Sequence, residues 1–451
     1  MPRRRGAARC PASGRLVPRG AGALQDAAPL VALDGRLAAD RQRQDRPCGH
    51  RPCAGPGLAA AGALAVNAWP ILAWARTPVA PVGGALAHCQ PHALAAPLVA
   101  RLLQQAGLAP AAVDAVVLGN ALGAGGNPAR VLALAAGLDE RTSAITLDSQ
   151  CCAGLDAITH ACGLLALGQA EVVIAGGAEA WSRAPLRLHR PMQPGEEAVA
   201  YEQPPFTPWP GRDPDMLQAA AAGAARLGLP RSAQDAWAVD SHARALASRG
   251  GLMNEIVPIA GLHQDAYPRS LNLTRVARMP VVAHAAADGM DCSLSTVAVS
   301  PRADGAALLL LATPAACARL GLRPRAHWCG AVSLGGAPES PMLCAIDAAR
   351  AAEQQSGWRL QNLDALELHD AFAAQGLEFC SALGLQQAAI NRGGGGLARG
   401  HPIGASGAIA LVRVLAQLAG QAGAAGRALR GMACIAGAGG LGAATWVSGE
   451  W

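Results

Sequence analysis

Two stretches more than 250 residues apart end alike: Val172–Ala180 reads VVIAGGAEA and Ala433–Ala444 reads ACIAGAGGLGAA. Each is an apolar run of strand length that passes into small residues, and their likeness points to one half of the fold built twice. Other strand-like runs, Val113–Leu118 and Ala306–Leu311, alternate with segments of helical spacing, Leu94–Ala106 and Leu217–Leu227. That alternation predicts an α/β arrangement. Charged residues make up only 15% and aromatics 3%, so alanine, leucine, valine and glycine must supply most of the packing. The low charge also suits a surface partly hidden in an oligomer.

Three segments set a nucleophile or a proton carrier among small residues: Cys151 in LDSQCCAGLDAI, His401 in GGGLARGHPIGASGA and Cys434 in MACIAGAGGLG; a fourth candidate, His369, lies in LELHDAFAAQ. Ala144, Ile145 and Leu147 read as a buried strand, and Leu155, Ile158, Ala161, Leu164 and Leu165 have helical spacing. Cys151 therefore falls at a strand-to-helix turn. Unpaired N–H groups at a helix start favour thiolate and are expected to pull its pKa below about 8.5. Read alone, Cys151 is equally compatible with an inert core cysteine. Asn391–Gly407 is glycine-rich around one Gly-His-Pro step, a backbone suited to holding one imidazole in a fixed pose. An imidazole near its free pKa of roughly 6.5 can take a proton from a thiol. Cys434 reads as a strand entering a tight turn, a second thiol suited to moving a proton at carbon, although a core cysteine gives the same pattern.

These segments together resemble the thiolases, a family of acyl-CoA acyltransferases. The family's C-x-S-G-L is matched by Cys151, Cys152, Ala153, Gly154 and Leu155, with alanine in place of serine. N-E-A-F-A is matched by His369, Asp370, Ala371, Phe372 and Ala373, and G-H-P-x-G-x-S-G-A residue for residue from Gly400 to Ala408. C-x-G-G-G is matched from Cys434 to Ala438 with two alanines. Further likeness lies in AWARTPVAPVGGAL, LGNALGAGGNPAR, AGGAEAWSRAP, NEIVPI and ADGAALLLLAT, so the resemblance runs from about Ile71 to the C-terminus.

The resemblance implies a thiolase-like fold: duplicated βαβαβαββ halves around a central helix pair, forming a five-layered αβαβα core with an inserted loop domain. The expected division is an N-terminal half over 67–185 and 301–320, a CoA-covering insert over 186–300, and a C-terminal half over 321–451. By position, Cys151 would attack the thioester or 3-ketoacyl thioester and hold the acyl group, with His401 activating it. Cys434 would move the α-carbon proton, and His369 would help bind the thioester oxygen, directly or through a water, beside His401. Backbone N–H groups of Cys151 and Ala436 would form a second oxyanion site. Arg269 and Ser300 would contact coenzyme A, which enters as a substrate rather than a cofactor.

Departures from the pattern carry information too. Histidine at 369 replaces the usual asparagine, which leans toward fatty-acid degradation, and Ala298 stands where an asparagine near pantetheine is usual. Two other readings stay open: a ketoacyl-synthase-like condensing enzyme using Cys151, His369 and His401, against which Cys434 argues, and an inactive acyl-CoA-binding homologue, suggested by Ala153, Ala298, Ala436 and Ala438.

Residues 1–66 are rich in arginine, proline, alanine and glycine, lack periodicity and match nothing in the family, so they are expected not to fold. Four acidic residues and one serine fit a transit peptide poorly, and an upstream start-site misassignment accounts better for the segment. All 37 Lys+Arg residues are arginine and are spread along the chain, a base-composition effect that implies no nucleic acid. Thirteen cysteines without regular spacing or a C-x-x-C step suggest a reducing, cytoplasmic setting and no metal site. The run Leu58–Ala75, broken by Asn67 and Pro70, is not expected to span a membrane. A homodimer or homotetramer is expected.

Overall fold

In the computed structural model of the chain, residues 68–123, 125–421 and 426–449 are described. The N-terminal extension over 1–66 lies outside them. The first half runs β1 (Trp69–Arg76), α1 (Pro91–Ala106), β2 (Ala115–Gly119), α2 (Pro128–Ala135), β3 (Ser143–Leu147), α3 (Ala153–Ala166) and β4 (Val172–Ala180). The insert contributes α4 (Met216–Arg226) and α5 (Arg231–Ala247), after which β5 (Ala303–Ala312) completes the half. The second half runs β6 (Ala326–Gly335), α6 (Cys344–Ser356), β7 (Ala365–Leu368), α7 (Ala373–Leu383), α8 (Ile403–Gly420), β8 (Leu429–Gly437) and β9 (Leu441–Gly449).

The strands pair in the order β7-β8-β9-β6-β1-β5-β4-β2-β3. Outward from the centre, the first half presents its first, fifth, fourth and second strands, and the second half its first, fourth, third and second. The first half then adds β3, parallel to β2; in the second half that place is held by a parallel bridge from Leu366 to Ile390. The halves join where β1 runs antiparallel to β6 through Trp69–Trp328, Pro70–His327 and Ile71–Ala326. The similar stretches seen in the sequence thus begin on equivalent strands, β4 and β8, each third outward from the central seam.

Side-chain alternation along the strands separates three apolar cores. The central one joins α3 and α8 to the inner faces of both halves, through residues such as Val173, Leu309, Ala433 and Ile435. Helices α1 and α2 cover the outer face of the first half, and α6 and α7 that of the second. Five layers result, helix, sheet, helix, sheet, helix, which is the thiolase arrangement. Helix α8 is long and apolar enough to cross a bilayer by length and composition, but its residues from Gly404 to Leu415 are buried between the sheet halves.

The N-terminal ends of α3 and α8 touch. A Cβ added to Gly154 would lie 2.9 Å from both the Gly404 carbonyl oxygen and the Ala408 nitrogen, so this crossing requires glycine. The insert is tied to the first half by buried charge: the Arg76 guanidinium, fully enclosed, pairs with Glu255 at 2.7 Å and Asp265 at 2.7 Å. Arg413 of α8 shares Glu255 at 2.9 Å.

Candidate active site

Cys151 precedes α3 by two residues and His401 precedes α8 by two, so the touching helix ends bring them together. The Cys151 sulfur lies 3.2 Å from His401 Nε2. Just before the cysteine, Gln150 holds φ at 55°, a left-handed conformation uncommon outside glycine and a mark of a constrained turn. The Gln150 N–H is braced by Asp148 Oδ1 at 2.8 Å.

The proton inventory of His401 is fixed by its other nitrogen. Ser406 Oγ donates its one hydrogen to the Pro402 carbonyl at 2.9 Å. At 2.7 Å from His401 Nδ1 the hydroxyl therefore accepts, and Nδ1 carries the ring hydrogen. Nε2 is left bare and faces the thiol, the tautomer a general base requires. The backbone is held as well: His401 N–H donates to the Pro301 carbonyl at 2.7 Å, and Trp181 Nε1–H donates to the His401 carbonyl at 3.0 Å. Behind it, Glu179 accepts from the amides of Ala121 at 2.8 Å and Gly404 at 3.0 Å and from the Asn120 side chain at 2.6 Å. This carboxylate satisfies an orphan donor of the first turn of α8 and locks β4 to the start of that helix; its burial raises its own pKa to about 7. Motif reading had placed Ser406 and Glu179 in recognisable strings without giving them a task. A serine five residues after the histidine was the available signal for the first.

Burial dominates the electrostatics. It pushes the Cys151 thiol up to about 11, against the N–H groups of Cys151 itself and Ala438 that reach the sulfur and lower it. It pulls His401 down to about 4. The expectation of a thiolate favoured by the helix start is thus corrected: both partners are neutral at pH 7, because desolvation outweighs the nearby amides.

His369 stacks on His401, with ring centroids 4.3 Å apart, and its backbone N–H donates to the Cys434 carbonyl at 2.9 Å. Its Nε2 is buried without a hydrogen-bond partner among the described residues. Burial first, then the neighbouring His401 and Arg399, holds this imidazole well below its usual pKa. Cys434 is fully buried and sits within β8, three residues before its end, rather than at the turn the sequence suggested. Burial keeps its thiol protonated.

A cavity of about 450 Å³ opens onto the pair, lined by Cys151, His401, Ser300, Phe372, Ala436 and Arg187 among others. His369 and Cys434 are not in its lining. Cys434 shares a strand face with Ala436, one pleat deeper, about 7 Å along the strand. Ser300 is in the wall, its hydroxyl donating to the Gly396 carbonyl at 2.7 Å, so toward a ligand it presents lone pairs. Arg269 is not in the wall; its guanidinium packs over the ring of Tyr267, which is, 4.1 Å from the centroid. Ala436 and Ala438 keep negative φ, so alanine costs these positions no backbone strain. No cluster of three or more His, Cys, Asp or Glu side chains with metal-binding geometry occurs among the described residues.

Comparison with known proteins converges on one family. The pattern described as "Thiolase, N-terminal domain" matches residues 70–315, and "Thiolase, C-terminal domain" matches 322–448. The chain is 34% identical over 352 residues to a putative acetyl-CoA C-acetyltransferase, VraB, of Staphylococcus haemolyticus, covering 75% of this chain and 90% of that protein. It is 35% identical over 353 residues to an acetyl-CoA acetyltransferase of Pseudomonas aeruginosa, with the same coverage. Among solved structures, the Bacillus anthracis acetyl-CoA acetyltransferase superposes with a TM-score of 0.76 at 30% identity, over 85% of this chain and 99% of that one. The Acat5 thiolase from Ascaris suum, in complex with coenzyme A, superposes with a TM-score of 0.75 at 25% identity, over 85% of this chain and all of the other. With the two family patterns matched in succession over residues 70–315 and 322–448, the chain belongs to the thiolase family of acyl-CoA acyltransferases.

Proposed function

We propose that this enzyme cleaves 3-ketoacyl-CoA with coenzyme A, or runs the reverse Claisen condensation, through an acyl group carried on Cys151. The observation that carries this reading is the 3.2 Å approach of the Cys151 sulfur to a bare His401 nitrogen at the wall of a cavity.

In the cleavage direction His401 Nε2 takes the thiol proton as the sulfur attacks the C3 carbonyl carbon. Since thiol and imidazole are both held neutral, proton transfer accompanies attack rather than preceding it. The tetrahedral oxyanion collapses and the C2–C3 bond breaks, its electron pair passing into the thioester enolate of acetyl-CoA. Backbone N–H groups of Cys151 and Ala436 would meet the oxyanion, while His369, its Nε2 unpartnered behind the lining, would help bind the thioester oxygen directly or through a water, beside His401. Cys434 protonates the enolate carbon, a role suited to a thiol that burial keeps protonated. Coenzyme A then surrenders its thiol proton to the enzyme, attacks the acyl-cysteine and leaves as an acyl-CoA two carbons shorter, with the Cys151 sulfur restored. Ser300, in the cavity wall, would meet coenzyme A directly, and Arg269 would act from behind Tyr267.

The test is acylation followed by mass spectrometry. Acetyl-CoA is expected to leave an acetyl adduct on Cys151, and acetoacetyl-CoA with coenzyme A to yield two acetyl-CoA. Cys434→Ala should keep the adduct from acetyl-CoA yet form no acetoacetyl-CoA. Equal loss of both would remove Cys434 from its role; binding without an adduct in the unaltered protein would make it an acyl-CoA-binding homologue.

A further inference from the structure

One charged side chain in the cavity wall has no task in this mechanism. Arg187 lies at the start of the insert, in a short strand (Arg187–His189) paired with Val199–Tyr201. Its neighbours Leu186 and Leu188 face outward, at 89% and 53% exposure, whereas Arg187 turns inward to line the cavity with Cys151. Its guanidinium is anchored by donating to the carbonyls of Leu122 at 3.1 Å and Ala121 at 3.4 Å. Those two neutral acceptors are its only hydrogen-bond partners among the described residues.

The other charges in the wall are accounted for differently. Arg302 lies over the Trp181 ring, 4.7 Å from the centroid, and pairs with Glu202 at 3.5 Å. Asp215 caps the start of α4 by accepting from the Leu217 and Gln218 amides. Only Arg187 brings an uncompensated positive charge, and it does so in a wall otherwise rich in Leu122, Phe206, Met216 and Met342. A guanidinium in the cavity wall whose only hydrogen bonds among the described residues run from one nitrogen to neutral carbonyls keeps the N–H donors of its other nitrogens for an anionic oxygen pair.

Its position limits where that anion sits. Arg187 and Cys151 line one cavity of about 450 Å³, a space that the pantetheine arm must share, which leaves room for a short acyl group. Resting on the thiolase reading above, we propose that Arg187 is a specificity-determining residue that pairs with a carboxylate at the far end of the acyl group, making short-chain dicarboxylic 3-ketoacyl-CoA thioesters the favoured substrate class.

The experiment compares thiolysis of a six-carbon 3-ketoacyl-CoA ending in carboxylate with that of its methyl-terminated counterpart. The unaltered enzyme should favour the carboxylate by about 10- to 100-fold in kcat/KM, the range of a charge-assisted hydrogen bond. Arg187→Gln should erase that preference, read as the ratio of the two kcat/KM values in one preparation, and Arg187→Lys should restore part of it. Coenzyme A phosphates are the other anions that could meet Arg187, so both acyl groups are also offered as pantetheine thioesters. Persistence of the Arg187 dependence there supports the acyl carboxylate; its confinement to coenzyme A esters assigns Arg187 to phosphate and overturns the proposal. Equal kcat/KM for the two chains in the unaltered enzyme, or equal losses in Arg187→Gln, would also overturn it. Failure of acetyl-CoA to acylate Cys151 would instead sink the thiolase mechanism itself, a separate outcome.

Discussion

The two halves of this molecule share one strand order and differ in what they set at one equivalent place. Each sends a helix through the central layer, and two residues ahead of that helix the first half carries a thiol, the second an imidazole. The N-terminal ends of α3 and α8 meet at Gly154 and Gly404, so duplication itself brings the partners to 3.2 Å. What differs is how each is held. Cys151 rides on a constrained turn whose Gln150 has φ 55° and keeps a face on the cavity. His401 is gripped through its ring by Ser406 and through its backbone by Pro301 and Trp181. The nucleophile is given access to substrate, and the base is given orientation.

Removing the oriented member tests this division most severely. His401→Ala is expected to lower kcat/KM by about 10²- to 10⁴-fold, measured as thiolysis of acetoacetyl-CoA. A change under tenfold would mean that His401 supplies frame rather than the base.

A smaller effect sharpens the electrostatic side. With the thiol raised from 9.0 to about 11, alkylation of Cys151 by iodoacetamide at pH 8 should run about 100-fold slower than for a thiol at 9.0, because two pH units separate the thiolate fractions. The rate should climb through pH 10 without levelling. A plateau near pH 6–7 would reveal a thiolate–imidazolium pair and break the claim that both partners rest neutral. The low value of His401, about 4, adds a linked expectation of sign. A base whose pKa falls on folding is protonated first in the unfolded chain, so its contribution to stability is whole above 6.5 and is lost as pH drops toward 4.

The mildest change addresses orientation alone. Ser406→Ala should cost roughly tenfold in kcat with little effect on KM, since only the hold on the Nδ1–H tautomer is lost, and Ser406→Thr should recover most of it. A rise in KM without loss of kcat would move Ser406 to substrate binding.

The buried ion cluster at Arg76 shows the opposite response to the same burial. There Arg76 and Arg413 meet Glu255, and Arg76 meets Asp265, at 2.7–2.9 Å. The Arg76 guanidinium is held above its usual pKa by those carboxylates against the desolvation that would lower it. Cys151 and His401 have no such countercharge in contact and so rest neutral. Enclosure decides the protonation state only where no opposite charge shares the space.

Much of the frame was legible in the residues. Likeness between VVIAGG and ACIAGAGG marked β4 and β8, because strand length, apolarity and the need for small residues at close approach are local properties. The helical spacing after Cys151 gave α3, whereas Asn391–Gly407 reads only as a tightly turning segment, and that α8 begins inside it at Ile403 is visible only in the fold. Other features depended on contacts between distant segments. That Cys434 lies inside β8, one pleat below Ala436, follows from pairing with β7 and β9, which no local pattern encodes. The amide reaching the Cys151 sulfur is that of Ala438, placed by a turn nearly 290 residues away in the chain.

By itself the sequence determined which side chains were available for chemistry, and that two similar halves would carry them, since composition, periodicity and glycine placement act over a few residues. Only the tertiary structure decided their protonation, their hydrogen-bond roles and the inward turn of Arg187. Those depend on desolvation and on partners supplied from other layers of the fold, quantities that have no value until the chain has closed around them.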